Sequence, residues 1–220
     1  MSDQSIKIKK EINYFKKQRH EMLKYIPETT VRILEVGCGE GAFCRQLKEF
    51  NLNFEVWGLE IDSDAATEAS KVCDKIIVGD INEKIHELPE NYFDCVFFND
   101  VLEHLYAPGK VIELIKPLLS AHGVLIASIP NFRFIANLIE VVYQGEFQYK
   151  KEGGILDDTH IRFFTKKSMK RMFEEHGYNI LIMEGINQRN DWKMKLLSLI
   201  SLGKMNDARY LQFAVVARPV

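Results

Sequence analysis

The chain has 220 residues, of which 46% are hydrophobic and 27% charged, and its formal net charge is -2. This composition is typical of one globular domain with a sizeable core and excludes extensive disorder. Because the net charge is small and negative, no global attraction to nucleic acid is expected, and we predict no nucleic-acid partner.

The cysteines and the hydropathy pattern indicate in which cellular compartment the protein is expected. Four cysteines are scattered without a Cys-x-x-Cys pair, as expected for small buried hydrophobic residues in a reducing compartment. The charged N-terminus lacks the apolar stretch of a signal peptide, and no apolar run has the length of a transmembrane helix. We therefore expect a cytoplasmic protein.

Residues 1–29 are predicted to form a helical lead-in. Apolar residues recur at helical spacing over residues 10–26, and Pro27 ends the segment. A single domain is predicted to follow over residues 30–220. It begins with five apolar runs that read as strands, at 31–36, 54–60, 74–78, 93–98 and 123–129.

Helical segments alternate with these strands. They are predicted at 42–50, 63–71 and 108–119, with a further short helix around Leu102. Near-continuous apolar strands that alternate with helices predict a doubly wound α/β domain, with a parallel sheet covered on both faces.

The alternation breaks down after residue 130. Helices are predicted at 132–142 and 166–176, and strands at 178–183 and 211–217. The irregular segments, about 132–165 and 187–209, are interpreted as insertions over the ligand-binding edge of the sheet.

The first strand ends in three glycines at alternate positions, Gly37, Gly39 and Gly41, and a helix follows at once. Glycine allows a sharp turn and a close approach of a ligand to the main chain. The N–H groups at the start of the new helix favour electron-rich ligand groups. The motif therefore predicts a nucleotide-like ligand.

The other strands also end in polar residues or glycine. In a doubly wound sheet, ligands bind at the carboxyl ends of the strands. Glu60 ends the second strand about 20 residues after the glycine turn, where an acid accepts hydrogen bonds from a ribose diol. Asp80, Asn99 and Asn131 follow the third, fourth and fifth strands.

These motifs together resemble the class I S-adenosylmethionine-dependent methyltransferases. Residues 34–41 resemble the first motif of that family, 58–62 its ribose-binding motif, 78–81 its adenine-contacting segment, and 93–105 its fourth-strand motif. The resemblance covers roughly residues 30 to 130, with all motifs in order. It implies a mostly parallel seven-stranded sheet with helices on both faces, a last strand that is antiparallel, and S-adenosylmethionine as the cofactor.

The resemblance also implies which residues bind the cofactor. Glu35 and the loop Gly37, Cys38, Gly39 and Gly41 would contact its methionine part, and Glu60 with Ile61 its ribose side. Asp80 and the backbone of Ile81 would meet the adenine, and Asn99 would lie beside the sulfonium.

The acceptor is less well defined by the sequence. Residues 157–165 resemble a segment of small-molecule methyltransferases, some of them from cell-surface polysaccharide pathways. We expect O-methylation of a small-molecule hydroxyl, on a saccharide or lipid-linked sugar; an amine or carbon acceptor is less favoured. A hydroxyl needs a base, and the candidates are His104 and His160, with Asp158 orienting either. Arg162, Asn131 and Tyr143 are the candidate substrate contacts.

Structural interpretations remain open for several of these residues. His104 would cap or pack its helix, and His160 with Arg162 would fix the insertion. Asp100, Asp158 and the two histidines lack the tight ligand spacing of a metal site, so no metal is predicted.

Two other function classes also remain open. A non-catalytic protein that binds S-adenosylmethionine to regulate or scaffold is the main alternative. An NAD-dependent oxidoreductase is disfavoured because the glycine loop lacks the longer spacing to a third glycine.

The segment 191–202 is strongly apolar and carries lysines at its edges. This pattern is compatible with a lid on the domain, a dimer contact or a peripheral membrane helix. We accordingly expect a monomer or a homodimer.

Overall fold

Seven strands form one sheet in the computed structural model, which describes residues 19–151, 153–189, 194 and 198–220. The strands are β1 Arg32–Val36, β2 Glu55–Glu60, β3 Lys75–Val78, β4 Phe93–Asn99, β5 Leu119–Pro130, β6 Tyr178–Gln188 and β7 Tyr210–Pro219. Their order is β3-β2-β1-β4-β5-β7-β6. Strand β7 is antiparallel to both neighbours, whereas the β1, β2, β3, β4 and β5 pairings are parallel. The predicted fold class is confirmed.

Helices connect the strands and cover the sheet. They are α1 His20–Leu23, α2 Ala42–Phe50, α3 Ser63–Ala69, α4 Ile81–Lys84, α5 Pro108–Ile115, α6 Ile135–Leu138 and α7 Lys166–Glu175. Short 3-10 turns lie at Ile85–Glu87, Leu102–His104, Lys116–Leu118 and Asn206–Arg209, and a π-helix at Ile139–Tyr143 extends α6. Within these described ranges, no helix combines the length and apolarity needed to cross a bilayer.

Strand β1 shows why the strands are apolar on both faces. Its neighbouring residues Ile33 and Leu34 are both fully buried, and they belong to two different core clusters on opposite faces of the sheet. Phe43 and Leu47 of α2 pack in the cluster of Ile33, which gives this helix its apolar stripe. A strand covered on both faces reads as a continuous apolar run, as the sequence shows.

The helix predicted over 132–142 begins later than expected. The Asn131 side-chain oxygen accepts the backbone N–H of Arg133, and the Asn137 amide donates to the Phe132 carbonyl. These local bonds hold residues 131–134 in a turn, so α6 begins only at Ile135.

The helix expected around Leu102 is a single 3-10 turn. Asp100 has a left-handed conformation (φ 55°), and the backbone N–H groups of Ile161 and Arg162 both donate to the Glu103 carbonyl at 3.0 Å. The Glu103 carbonyl, which would accept a hydrogen bond within a longer helix, instead accepts hydrogen bonds from the first insertion.

Two predicted segments fall partly outside the described residues. Of the lead-in over 1–29, residues 1–18 lie outside them, and the described part contains α1 with Met22 fully buried. Of 191–202, residues 191–193 and 195–197 lie outside. Leu199, Ile200 and Leu202 are exposed, and membrane or dimer contact through this segment stays a prediction.

Candidate functional site

The turn between β1 and α2 forms the floor of the site. Gly37 and Gly41 have φ of 70° and 78°, a region that side chains other than glycine rarely adopt. A Cβ on Gly37 would lie 2.6 Å from Val101 Cγ2, so the loop packs closely against the segment after β4. The glycines thus bring the main chain of the first loop next to the fourth strand end.

Glu60 lies at the end of β2 and faces this loop. Its Oε2 accepts the Gly39 N–H at 2.7 Å, and its Oε1 accepts the Asp62 N–H at 3.0 Å. An ionised carboxylate has about four acceptor positions, so two remain for a diol. The neighbouring Ile61 side chain is 66% exposed, which places an apolar surface beside the carboxylate.

Asp80 and Ile81 lie at the next strand end. The Asp80 carboxylate accepts the Asn82 N–H at 2.7 Å and caps α4, while Ile81 is buried under the first turn. The two residues are held at the same edge of the sheet as Glu60, as the sequence predicted, because β2 and β3 are parallel neighbours.

A buried carboxyl lies at the centre of the site. Glu35 is 3% exposed; its Oε2 accepts the Cys44 thiol at 3.0 Å and its Oε1 lies 3.4 Å from the Asn99 amide nitrogen. Burial raises the pKa of Glu35 to about 8, although both hydrogen bonds act to lower it. A cationic ligand group at this position would favour the ionised form.

The polar groups fit S-adenosylmethionine. The Asn99 amide oxygen is buried and has no hydrogen-bond partner among the described residues, which is the state expected of an acceptor that awaits a ligand donor. Together with the glycine loop, Glu35 and Glu60, it provides acceptors for an ammonium group and a ribose diol. The amide oxygen of Asn99 would meet the cationic end and Glu60 the ribose.

A buried ionic network supports the fourth strand end, and the sequence did not predict it. Arg19 is 3% exposed and contacts the Asp100 carboxylate, the Ser128 hydroxyl (2.7 Å) and the Gln212 amide oxygen (2.9 Å). Its own backbone N–H donates to Gln46 Oε1 at 2.7 Å. Arg19 thus joins the lead-in to the end of β4 and to β5 and β7.

The first insertion brings His160 to His104. The ring centroids are 4.7 Å apart, and His160 Nε2 lies 4.0 Å from Glu103 Oε1. Glu103 and His160 are buried, and His104 is half-buried. Burial lowers the pKa of His104, and the proximity of His160 lowers it further. The two predicted catalytic histidines therefore form one cluster with the buried acid Glu103.

Three other predicted site residues, Asp158, Tyr143 and Arg162, do not belong to this histidine cluster. Asp158 and Tyr143 are exposed, whereas the neighbouring Asp157 is buried and accepts both donors of Thr159. The Arg162 guanidinium donates to the Tyr106 carbonyl at 2.7 and 3.1 Å. Arg162 therefore fixes the insertion to the segment after β4.

Asn131 also takes part in holding an insertion in place. It is fully buried, and its amide nitrogen donates to the carbonyls of Asp207 (2.8 Å) and Tyr210 (3.0 Å). One contact is to the second insertion and the other to the first residue of β7. Contact of Asn131 with the acceptor stays a prediction.

The insertions add an aromatic cluster and a cationic cavity. Phe132, Phe147, Tyr149 and Phe163 form the aromatic cluster, with ring centroids 5.5 to 6.4 Å apart. A cavity of about 990 Å³ lies between α7 and the second insertion. Its charged lining residues are Arg133, Lys166, Lys167, Lys204, Arg209 and Asp207.

The cysteines are free thiols in the described structure. Cys38, Cys44 and Cys95 are buried and Cys73 is half-buried. Cys44 supports Glu35, and burial raises the pKa of Cys95 to about 12. They fill the core in the manner that the sequence predicts.

Comparison with known proteins identifies the family. Residues 8–182 match a family model described as a methyltransferase domain, which is more than half of the chain. A search of curated proteins found no significant match.

Solved structures resemble the chain at low identity. An S-adenosylmethionine-dependent methyltransferase from Archaeoglobus fulgidus is 19% identical, with 90% of each chain covered and a TM-score of 0.68. One from Mesorhizobium loti is 17% identical, with 90% of this chain and 95% of that chain covered and a TM-score of 0.62. The plantazolicin methyltransferase BpumL, in complex with SAH, is 19% identical, with coverage of 96% and 82% and a TM-score of 0.59. At these identities the likeness shows the shared fold.

The glycine loop, the acidic strand end and the orphaned Asn99 oxygen agree with the family match. The chain therefore belongs to the methyltransferase domain family and is a class I methyltransferase whose cofactor is S-adenosylmethionine.

Proposed function

We propose that this methyltransferase transfers the methyl group to a hydroxyl of a small-molecule acceptor, a saccharide or lipid-linked sugar. The observation that carries the proposal is the convergence of Glu103, His104 and His160 directly after β4, the strand that ends in Asn99. A hydroxyl must lose its proton on methylation, and this carboxylate and the two imidazoles are groups that would promote the loss.

The reaction itself makes few demands on the protein. S-adenosylmethionine carries an activated leaving group, so alignment of nucleophile, methyl carbon and sulfur supplies much of the acceleration. In our proposal Glu35, the loop from Gly37 to Gly41 and Asn99 hold the methionine part. Glu60 accepts the ribose hydroxyls, and Asp80 and Ile81 meet the adenine.

The insertions support an acceptor with a flat apolar face and an anionic group. Phe147 and Tyr149 are 46% and 49% exposed, so the aromatic cluster offers ring surface on which a sugar could stack. The cationic cavity holds five basic residues against one acid, which favours a phosphate. Phosphorylated and lipid-linked sugars combine both features.

The test is a transfer assay with methyl-labelled S-adenosylmethionine. Acceptor panels would contain sugar phosphates, their unphosphorylated sugars, and amines of matched size. We expect label in an ether on the phosphorylated sugar, with less on the unphosphorylated one. Label only on the amines would contradict a hydroxyl acceptor. Tight cofactor binding without transfer to any acceptor would instead favour a regulatory or scaffold protein.

A further inference from the structure

A group of three potential metal ligands lies beside the proposed transfer site. One ligand atom each from Glu103, His104 and His160 lies within 4.8 Å of the others, and this is the one such group found among the described residues. Glu103 is 1% and His160 7% exposed. One carboxylate and two imidazoles are ligand types that transition-metal ions bind together in proteins.

In both histidines Nδ1 contacts a backbone carbonyl, which leaves Nε2 available for a ligand. His104 Nδ1 lies 3.1 Å from the Thr159 carbonyl oxygen, and His160 Nδ1 lies 2.9 Å from the Ile155 carbonyl oxygen. A carbonyl oxygen only accepts, so each Nδ1 carries the hydrogen and each neutral ring has its lone pair on Nε2. Metal-binding histidines are oriented in this way by their second nitrogen.

The backbone fixes the two segments that supply the ligands. Glu103 and His104 lie in the 3-10 turn directly after β4, and the Glu103 carbonyl accepts the N–H groups of Ile161 and Arg162. His160 is therefore tied to the turn by the two residues that follow it. This rigidity reduces the entropy that binding of an ion would otherwise cost.

We propose that Glu103, His104 and His160 bind one divalent transition-metal ion. Two imidazoles and one carboxylate form a set that suits Zn²⁺, Co²⁺, Mn²⁺ or Fe²⁺ better than Mg²⁺, and three protein ligands leave a position open. Around such an ion the ligand atoms would be about 3.4 Å apart for bonds of about 2.1 Å. Binding of the ion would draw the ligand atoms together from their present spread of up to 4.8 Å.

The competing interpretation is an ion pair between protonated His160 and Glu103, whose atoms are 4.0 Å apart. That pair does not involve His104, whereas the metal needs all three side chains. The effect of replacing His104 on metal affinity therefore separates the two interpretations.

The role of the ion rests on the proposed function. Its open position would take the acceptor hydroxyl oxygen, which lowers the pKa of that hydroxyl. The proton passes to solvent water, and an oxygen lone pair forms the C–O bond to the methyl carbon. The C–S bond breaks, and its electrons remain on sulfur to give the neutral thioether S-adenosylhomocysteine.

The test is a Co²⁺ and Zn²⁺ titration of the untagged full-length protein after chelator treatment. Co²⁺ bound through imidazole absorbs visible light, so site occupancy is read without any acceptor. We expect one ion per chain, competition by Zn²⁺, and at least a tenfold loss of affinity in Glu103→Gln and in His104→Asn. The control His86→Ala, at an exposed histidine away from the cluster, should bind as the parent protein does.

Two results would overturn the metal site: no saturable Co²⁺ binding by the parent protein, or parent-like affinity in both variants. Nδ1 of His104 and of His160 each contacts a backbone carbonyl, and an asparagine amide keeps a donor at that position, so the folding of each variant is checked by unfolding without metal. Metal binding without methyl transfer to hydroxyls would retain the site and reject the proposed acceptor. Transfer unaffected by chelator, with Co²⁺ still bound at the three residues, would reject the catalytic role alone.

Discussion

The buried carboxyl of Glu35 gives a quantitative prediction for Glu35→Gln. The pKa of Glu35 is about 8 in the folded protein and 4.5 for an ordinary glutamate, so between these values the folded state holds one proton more than the unfolded state. Each pKa unit corresponds to about 1.4 kcal/mol. The free energy of unfolding should therefore fall by about 1.4 kcal/mol per pH unit as pH rises from 4.5 to 8, because the unfolded state ionises first.

Across the full window the loss amounts to about 5 kcal/mol. A glutamine has no proton to lose, so Glu35→Gln should remove this contribution. The variant also changes the bonds to Cys44 and Asn99, but these contribute an offset that does not depend on pH. The diagnostic quantity is therefore the slope of the free energy of unfolding against pH, and not its value at any one pH.

Urea unfolding of the cofactor-free protein at pH 5, 6, 7 and 8 measures that slope. The exposed substitution Glu90→Gln is the matched control and should leave the slope as in the parent. We expect the free energy of unfolding of Glu35→Gln to approach or exceed that of the parent protein progressively as pH rises. Parallel curves for the two proteins would show that Glu35 is ionised when buried and would refute the reasoning.

The remaining predictions concern the cofactor loop and its support. Glu60→Gln should weaken S-adenosylmethionine binding about 10- to 100-fold in calorimetry, since it loses a charge-assisted bond to the ribose while keeping an acceptor for the loop. Arg19→Met should cost about 3–5 kcal/mol in urea unfolding because it removes the buried cation that contacts the Asp100 carboxylate. Its control Lys24→Met removes an exposed pair and should cost about 1 kcal/mol or less. Gly37→Ala should lower the thermal midpoint more than Gly145→Ala; both have φ 70°, but a Cβ meets a side chain only at Gly37. Equal losses of stability in Arg19→Met and Lys24→Met would contradict the importance of the buried ion pair. Equal losses in Gly37→Ala and Gly145→Ala would contradict the importance of close packing at Gly37.

The sheet was predictable because its signals are local. The apolar runs and the polar residues after them mark each strand end, and in a parallel sheet those ends share one edge. The positions of Glu60 and Asn99 near the glycine loop therefore follow from the order of the strands along the chain. Helix α2 begins at Ala42 as predicted because Gly41 ends the turn.

The insertions could not be predicted in the same way. Residues 145–160 have no period that fixes an element, so nothing local showed that His160 would approach His104 and Glu103. The predicted partner acid, Asp158, is exposed, whereas Asp157 is buried and Glu103 is the acid grouped with the two histidines. Arg19 shows the same limit, since its partners at the end of β4 and in β5 and β7 are distant in sequence.

Parallel calorimetric titrations of the purified protein with S-adenosylmethionine, S-adenosylhomocysteine and NAD test the assignment of the cofactor most directly. The account predicts saturable binding of both sulfur nucleosides at one site per chain and no binding of NAD. Binding of NAD without either sulfur nucleoside would contradict it.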